Sequence, residues 1–398
     1  MKILMLTPYA PYPPNSGGRI RMWEQINYLG QRHDLTLVSF VASQEEYWQR
    51  KLLTGSCQQA VMVRHPQQLP TANLQELLEK PHVFQWYDVP AMTKTLEELQ
   101  AQNFDVAIIE HIYMAQYHRL FPMPTILQEH NIESDIYKQL SMLDQGLNGS
   151  SQKQRAFLRA TWMLMARYEN ETWPKFPLRV TVSDQDKQRL DRRCSTGRTV
   201  VIENGINTRA IEPVENEGSR KILFMGTMNY EPNVDGALYC RHEIMPKIWQ
   251  KDPTISLVIA GRDPTPAVRA LVATPQVEVI ANPEDMSDVA KECCLTVVPL
   301  RSGGGSRIKI PHSMAMGLPV VSTTIGCEGL TVTDGQDILI RDDPGQFSEA
   351  VVDVVSDPAL QSRLRTAGRQ LVEDRYDWSR MFEQLEAEMQ ILADSARA

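Results

Sequence analysis

Three consecutive glycines, Gly303, Gly304 and Gly305, stand among Arg301, Arg307 and Lys309. An apolar run at 295–298 precedes them and reads as a buried strand. A short apolar helix at 308–316, a glycine stop at Gly317 and a strand at 319–322 follow. Strand, glycine loop and helix start make the usual place for a phosphate in a parallel α/β sheet. Free N–H groups at the helix start point at the anion, and glycine lets the backbone come close. At that junction Arg307 would supply a planar fork and Lys309 a point charge, both directed at one diphosphate. A surface loop with solvated charges is the competing reading. No Walker lysine motif and no Gly-x-Gly-x-x-Gly after the first strand sharpens the choice.

A second group of reactive residues lies in the first half. The strand at 105–109 runs into Glu110-His111, and the strand at 124–127 runs into Gln128-Glu129-His130-Asn131. Two strands thus each deliver a histidine at the carboxyl end, the edge where open α/β sheets bind ligands. Glu110, Glu129 and Glu133 are close by in sequence and add to a polar site. Gly17 and Gly18 follow the first strand, 2–7, and precede a helical pattern. They allow a close backbone approach or make a plain tight turn. Arg19 and Arg21, at that helix start, are candidate anion contacts. His82, Phe84, Trp86 and Tyr87 line an acceptor groove or simply pack.

The elements that must position these residues alternate as in βαβ units, twice over. Strands are expected at 2–7, 35–40, 60–63, 105–109, 124–127, 178–182 and 199–202. After a polar stretch at 207–220 the pattern restarts, with strands at 221–225, 255–260, 277–280, 295–298, 319–322 and 337–340. Three amphipathic helices end the chain. With 398 residues two domains are the default. The expected fold class is α/β: two Rossmann-like doubly wound domains facing across a cleft. We place an acceptor-binding domain at 1–205, a linker at 206–220, a donor domain at 221–375, and a helix at 376–398 that crosses back to the first domain. The cleft is the natural site, with Gly17, Gly18, His111 and His130 on one side and Gly226, Arg307 and Lys309 on the other.

Composition sets bounds. A formal net charge of -8 argues against a nucleic-acid stripe as the main function. Six cysteines without a Cys-x-x-Cys pair indicate neither a disulfide framework nor a zinc cluster. The apolar start is too short for a signal peptide, and no run approaches a membrane span. A cytoplasmic location is the default, with peripheral membrane contact left open.

Taken together the motifs resemble the family 4 retaining glycosyltransferases of the GT-B fold, in particular bacterial exopolysaccharide-type members. The residues that carry the resemblance are Gly17-Gly18, EHNIES at 129–134, VIENG at 201–205, FMGTMNYEPNVDG at 224–236 and PLRSGGGSRIKI at 299–310 through GLPVVSTTIGCEGL. The resemblance implies transfer of a sugar from a nucleotide-sugar, which is a co-substrate, with retention at the anomeric carbon and no bound metal. By the same likeness His130 stands beside the transferred sugar, and His111 and Glu133 belong to the acceptor half. Arg307 and Lys309 lie at the donor phosphates, with Arg301, Gly226, Gly303, Gly304 and Gly305 around them. Residues 281–285, including Asn282 and Glu284, would meet the base. Gly17 and Gly18 would approach the diphosphate or the acceptor. The acceptor would be a sugar, lipid-linked or small-molecule hydroxyl, and the chain a monomer or weak dimer.

The chain departs from the family pattern at its Glu-x7-Glu pair, where Gly304 and His312 stand. A neutral His312 accepts one hydrogen bond but cannot hold two ribose hydroxyls as a carboxylate does. A different donor pose, weaker donor binding, or a non-catalytic saccharide-binding or scaffolding paralogue would each account for it. A nucleotide-sugar epimerase sharing the frame is a third functional class.

Overall fold

The structure is a computed structural model that describes residues 1–53, 55–65, 81–142, 152–208, 210–214, 218–303 and 308–397. Arg307, Gly304 and Gly305 lie outside the described residues, as does the side chain of His82. Chain contacts divide the protein into two units. The first holds Met1–Lys138, Ala156–Glu203 and Ser379–Ala398, and the second holds Gln139–Arg155 and Asn204–Trp378.

The first unit is built on seven parallel strands: β1 (Lys2–Thr7), β2 (Asp34–Val41), β3 (Gln59–Arg64), β4 (Val106–Glu110), β5 (Thr125–Gln128), β6 (Leu178–Thr181) and β7 (Arg198–Val201). Their order is β3-β2-β1-β4-β5-β6-β7. β1 and β4 are almost continuous Ile, Leu, Val, Met and Ala, as strands covered on both faces must be. The strand order turns back between β1 and β4, which is where a doubly wound sheet opens a crevice at its carboxyl edge. Helix α1 (Gly17–Gly30) leaves β1 at that crevice. Helices α2 (Glu133–Met142) and α3 (Gln152–Thr172) follow β5.

The second unit repeats the plan with six parallel strands: β8 (Lys221–Met225), β9 (Ser256–Gly261), β10 (Val277–Ala281), β11 (Cys293–Val298), β12 (Val320–Ser322) and β13 (Leu339–Ile340). Their order is β10-β9-β8-β11-β12-β13, so the crevice falls between β8 and β11. Helix α4 (Glu231–Tyr239) follows β8 and runs through a wider five-residue turn, Cys240–Ile244, into Met245–Lys251. Helix α5 (Lys309–Ala315) follows the three glycines in sequence. The core of this unit joins Phe224, Ile259 and Val297 to Ile310 and Met314 of α5, which fixes where that helix begins.

The last helix, α6 (Trp378–Arg397), counts with the first unit from Ser379 onward. Glu386 accepts from Tyr28 Oη at 3.0 Å and pairs with His33 at 2.8 Å, while Phe382 packs on the Tyr28 ring. No helix among the described residues is long and apolar enough to cross a membrane. All six cysteines are buried thiols outside any disulfide.

Candidate active site

The crevice edge of the first sheet carries two carboxylate–histidine pairs. In β5 and just beyond it, side chains alternate sides, so Gln128 and His130 share a face and Glu129 takes the other. Glu129 Oε1 accepts from the Trp173 indole at 2.6 Å and takes no part in the histidine cluster expected around it. Glu110, at the end of β4, sits opposite Gln128 in the strand register and is fully buried. Its Oε2 lies 2.7 Å from His130 Nε2. Its Oε1 accepts from Gln25 at 3.1 Å and Gln128 at 2.9 Å. An ionised carboxylate only accepts, so the proton of this contact belongs to His130 Nε2. The other ring nitrogen, Nδ1, lies 3.4 Å from where a side chain on Gly18 would begin. Glycine at that position therefore keeps the space beside Nδ1 clear; a Cβ there would also meet Tyr9 Oη at 2.3 Å.

The second pair is His111 with Glu133, whose Nε2 and Oε1 are 3.5 Å apart. His111 has a φ of 74°, a conformation that a residue with a side chain adopts only when its surroundings impose it. Its ring is stacked 4.2 Å from Tyr113 and lies 5.4 Å from the ring of His130. Tyr113 Oη donates to Glu133 Oε2 at 2.8 Å, and Asn131 donates to Oε1 at 3.2 Å. Burial pushes the Glu133 carboxyl up to about 7 against the pull of those two donors. Burial first, and the neighbouring His130 second, hold His111 well below the ordinary histidine value. The pair thus favours neutral imidazole and a carboxyl that can hold a proton near neutrality.

Arg19 and Arg21 do not serve as the open anion contacts their position suggests. Arg19 pairs with Glu46 at 2.7 Å. Arg21 is 1% exposed and donates to the carbonyls of Ile202 and Glu203 at 3.0 and 3.1 Å, and to Gln128 Oε1 at 3.2 Å. Their helix turns Arg21 inward because Arg21 and Gln25, one turn apart, both lie on its buried face. Of the aromatic residues nearby, Phe84 is core, Trp86 stacks on His65 and Tyr87 lies parallel to Tyr113.

In the second unit, Lys309 opens α5 and its Nζ donates to Asn233 Oδ1 at 2.5 Å. The ammonium lies 5.2 Å from the Phe224 ring centre and 3.1 Å from where a Gly226 side chain would begin. Asn233 in turn donates to the Thr227 carbonyl at 2.9 Å. Gly226 thus follows β8 directly, beneath a lysine and an amide, at the crevice between β8 and β11. Gly261 approaches just as closely: with φ at 153°, a Cβ there would stand 1.7 Å from the Gly226 carbonyl. Arg301 is held by both oxygens of Asp235, at 2.5 and 3.1 Å, over the Tyr239 ring. Gly303 has φ 128° and donates its N–H to Gln139 at 2.7 Å.

Asn282, also left-handed at φ 53°, accepts from the Asp263 N–H at 3.0 Å and turns the chain after β10. Glu284 is exposed on the next turn. His312 lies on α5, and burial pushes its pKa down to about 4 despite the opposing charge of Asp285. Among the described residues no cluster of three His, Cys, Asp or Glu is arranged to hold a metal ion.

Sequence reasoning missed Gln25, Gln128 and Asn233 as members of these sites. The available signal was a polar residue on an otherwise apolar strand end or helix face.

Residues 219–357 match the family described as glycosyl transferases group 1. The chain is 20% identical over 401 residues to an uncharacterized 44.6 kDa protein in the cps region of Klebsiella pneumoniae, covering 96% of this chain and 98% of that protein. Sucrose-phosphate synthase from Thermosynechococcus elongatus has a similar structure, with a TM-score of 0.73 at 15% identity, over 99% of this chain and 100% of that one. HepE of Anabaena, solved in complex with UDP-glucose, gives a TM-score of 0.67 at 11% identity, over 98% and 100% of the two chains. The chain has the GT-B fold throughout, and within its second unit residues 219–357 match the glycosyl transferases group 1.

Proposed function

We propose that this protein is a retaining glycosyltransferase that moves a sugar from a nucleoside diphosphate sugar to a hydroxyl acceptor. The observation that carries the reading is the Lys309 ammonium, set over Gly226 at the crevice of the second sheet. Lys309, with Arg307 two residues before it in sequence, is assigned to the leaving diphosphate. As the bond from the anomeric carbon to that diphosphate breaks, its electron pair and the growing negative charge go to the phosphate oxygens. Fixed cations stabilise that charge more than they stabilise the bound donor, which lowers the barrier. A well-placed contact of this kind contributes about 2.7–4 kcal/mol. His130 is assigned to the transferred sugar, and His111 and Glu133 to the acceptor side. Asn282, Glu284 and His312 are assigned to the nucleoside. HepE, solved with UDP-glucose, has the same fold, and we take a uridine nucleotide as the first donor to try.

Calorimetric titration with UDP tests the assignment. Lys309→Ala and Arg307→Ala should each weaken binding by about 10- to 100-fold, the value of one charge-assisted hydrogen bond. Unchanged affinity in both variants overturns the donor site. Product analysis separates transfer, which lengthens an acceptor, from epimerisation, which alters the donor alone.

We further propose that the acceptor is reached at an anionic membrane surface, through α3. This helix exposes Phe157 at 65% and Met163 at 61%. From Gln152 to Tyr168 its sequence holds Lys153, Arg155, Arg159 and Arg167 and no acidic residue, in a chain whose net charge is -8. Exposed apolar side chains among basic ones suit a lipid headgroup layer of negative charge.

A further inference from the structure

We propose that Arg21, Gln25 and Gln128 are positioning residues for His130, acting through Glu110 to keep its Nε2 a donor and its Nδ1 an acceptor toward Gly18. The proposal rests on the reading of His130 as part of the transfer site.

The geometry has a direction. Gln128 has one oxygen and one NH2 group, and they cannot both face the same partner. Arg21 has only donors, so it takes the oxygen, at 3.2 Å. That leaves the NH2 group for Glu110 Oε1 at 2.9 Å and for Gln25 Oε1 at 3.0 Å. Gln25 then turns its own NH2 group to Glu110 Oε1 at 3.1 Å. With Oε1 occupied by two amides, Oε2 is the oxygen left for His130 Nε2 at 2.7 Å. A guanidinium, which donates and cannot accept, thus sets the polarity of an amide, a carboxylate and an imidazole in turn. The charge of Glu110 also reaches back to Arg21, whose pKa burial lowers to about 10. Other titratable groups near this chain include His111, 5.4 Å from the His130 ring, Glu133 behind it, and Tyr9, whose hydroxyl lies at Gly18 beside Nδ1.

Arg21 also holds the carbonyls of Ile202 and Glu203, the final residues of the first unit before the chain enters the second. Removing the guanidinium strands those two acceptors. It also releases the Gln128 oxygen, so that amide can turn over and offer its NH2 group on the side that Arg21 occupied. Its oxygen then faces Glu110 Oε1, acceptor against acceptor, and Glu110 can no longer hold His130 in one tautomer.

Imidazole nitrogen NMR of histidine-labelled protein tests this, with His130→Gln used to assign the signal. Wild-type His130 should show its proton on Nε2. Arg21→Met should give exchange between the two tautomers, Gln25→Leu a smaller change, and Arg21→Lys a partial return, since a point charge reaches fewer of the three acceptors. In transfer assays kcat should fall about 10- to 100-fold in Arg21→Met, the usual cost of losing an orienting partner, with the donor KM within about twofold. A purely structural Arg21 would lower stability and leave the tautomer and the kcat of folded protein alone. If Arg21→Met does not fold, Gln25→Leu decides on the same readouts. A wild-type proton on Nδ1, or an unchanged tautomer in Gln25→Leu and in any folded Arg21→Met, overturns the proposal. The NMR result stands whether or not sugar transfer is observed, so failure of the functional reading is seen separately.

Discussion

The two carboxylate–histidine pairs of the first unit use the same residue types for different ends. Glu110 is surrounded by donors, two amides and a ring nitrogen. Glu133 has a phenol and an amide and is pushed up to about 7 by burial. The difference is measurable as stability. Below about pH 4.5 Glu133 is protonated in both folded and unfolded chains. Between there and about 7 the unfolded chain ionises first, so the folded state loses relative stability as pH rises. His111 and His312, both pushed down, act the other way: their contribution is present above about 6.5 and is lost on acidification. Glu133→Gln should therefore make the thermal midpoint climb more steeply between pH 4.5 and 7 than in wild type. The two proteins should separate by roughly 1–3 kcal/mol over that window. Parallel curves across the window would sink the assignment. That His111 and His130 end adjacent strands was legible in the sequence. That Glu110 would choose His130 and Glu133 would choose His111 was not, because those choices depend on Gln25, brought in from α1, and on how the turns after β4 aim Tyr113.

At the scale of elements, strand positions were legible because β1, β4, β8 and β11 are apolar runs closed by Gly, Glu-His or Pro. Helix faces were less so. The inward turn of Arg21 contradicts its expectation as an anion contact, since α1 packs its polar residues against the sheet edge instead of presenting them. Arg301, expected beside the phosphates, is already gripped by Asp235 across α4, a partner 66 residues away that spacing could not reveal. Helix α3 presents the converse case, with the large apolar side chains of Phe157 and Met163 turned outward. Flotation with phosphatidylglycerol vesicles should carry the protein with the lipid, and phosphatidylcholine vesicles should not. Phe157→Ser with Met163→Ser should reduce binding at least tenfold, because each buried apolar side chain contributes about 1.5–3 kcal/mol. Equal flotation by the double variant would rule out α3, and self-association seen by ultracentrifugation in its place would assign that face to a second copy.

For the molecule as a whole, α6 matters most. Met381, Phe382, Leu385 and Met389 are buried along it, at about 1.5–3 kcal/mol each, against a typical domain stability of about 5–15 kcal/mol. A chain ending at Trp378 should therefore lose the first unit's cooperative structure. Hydrogen exchange should show β1 and β2 unprotected while β8, β9 and β11 keep their protection. Slow exchange in β1 and β2 of the shortened chain would refute this.

The allegiance of α6 also has a consequence for biosynthesis. The ribosome makes this helix only after it has made the entire second unit. At roughly 5–20 residues per second, the intervening stretch takes about 10–40 s to emerge. Throughout that interval the earlier half is an incomplete nascent body with the apolar seat of α6 open to water, a ready client for holding chaperones until translation supplies the missing piece.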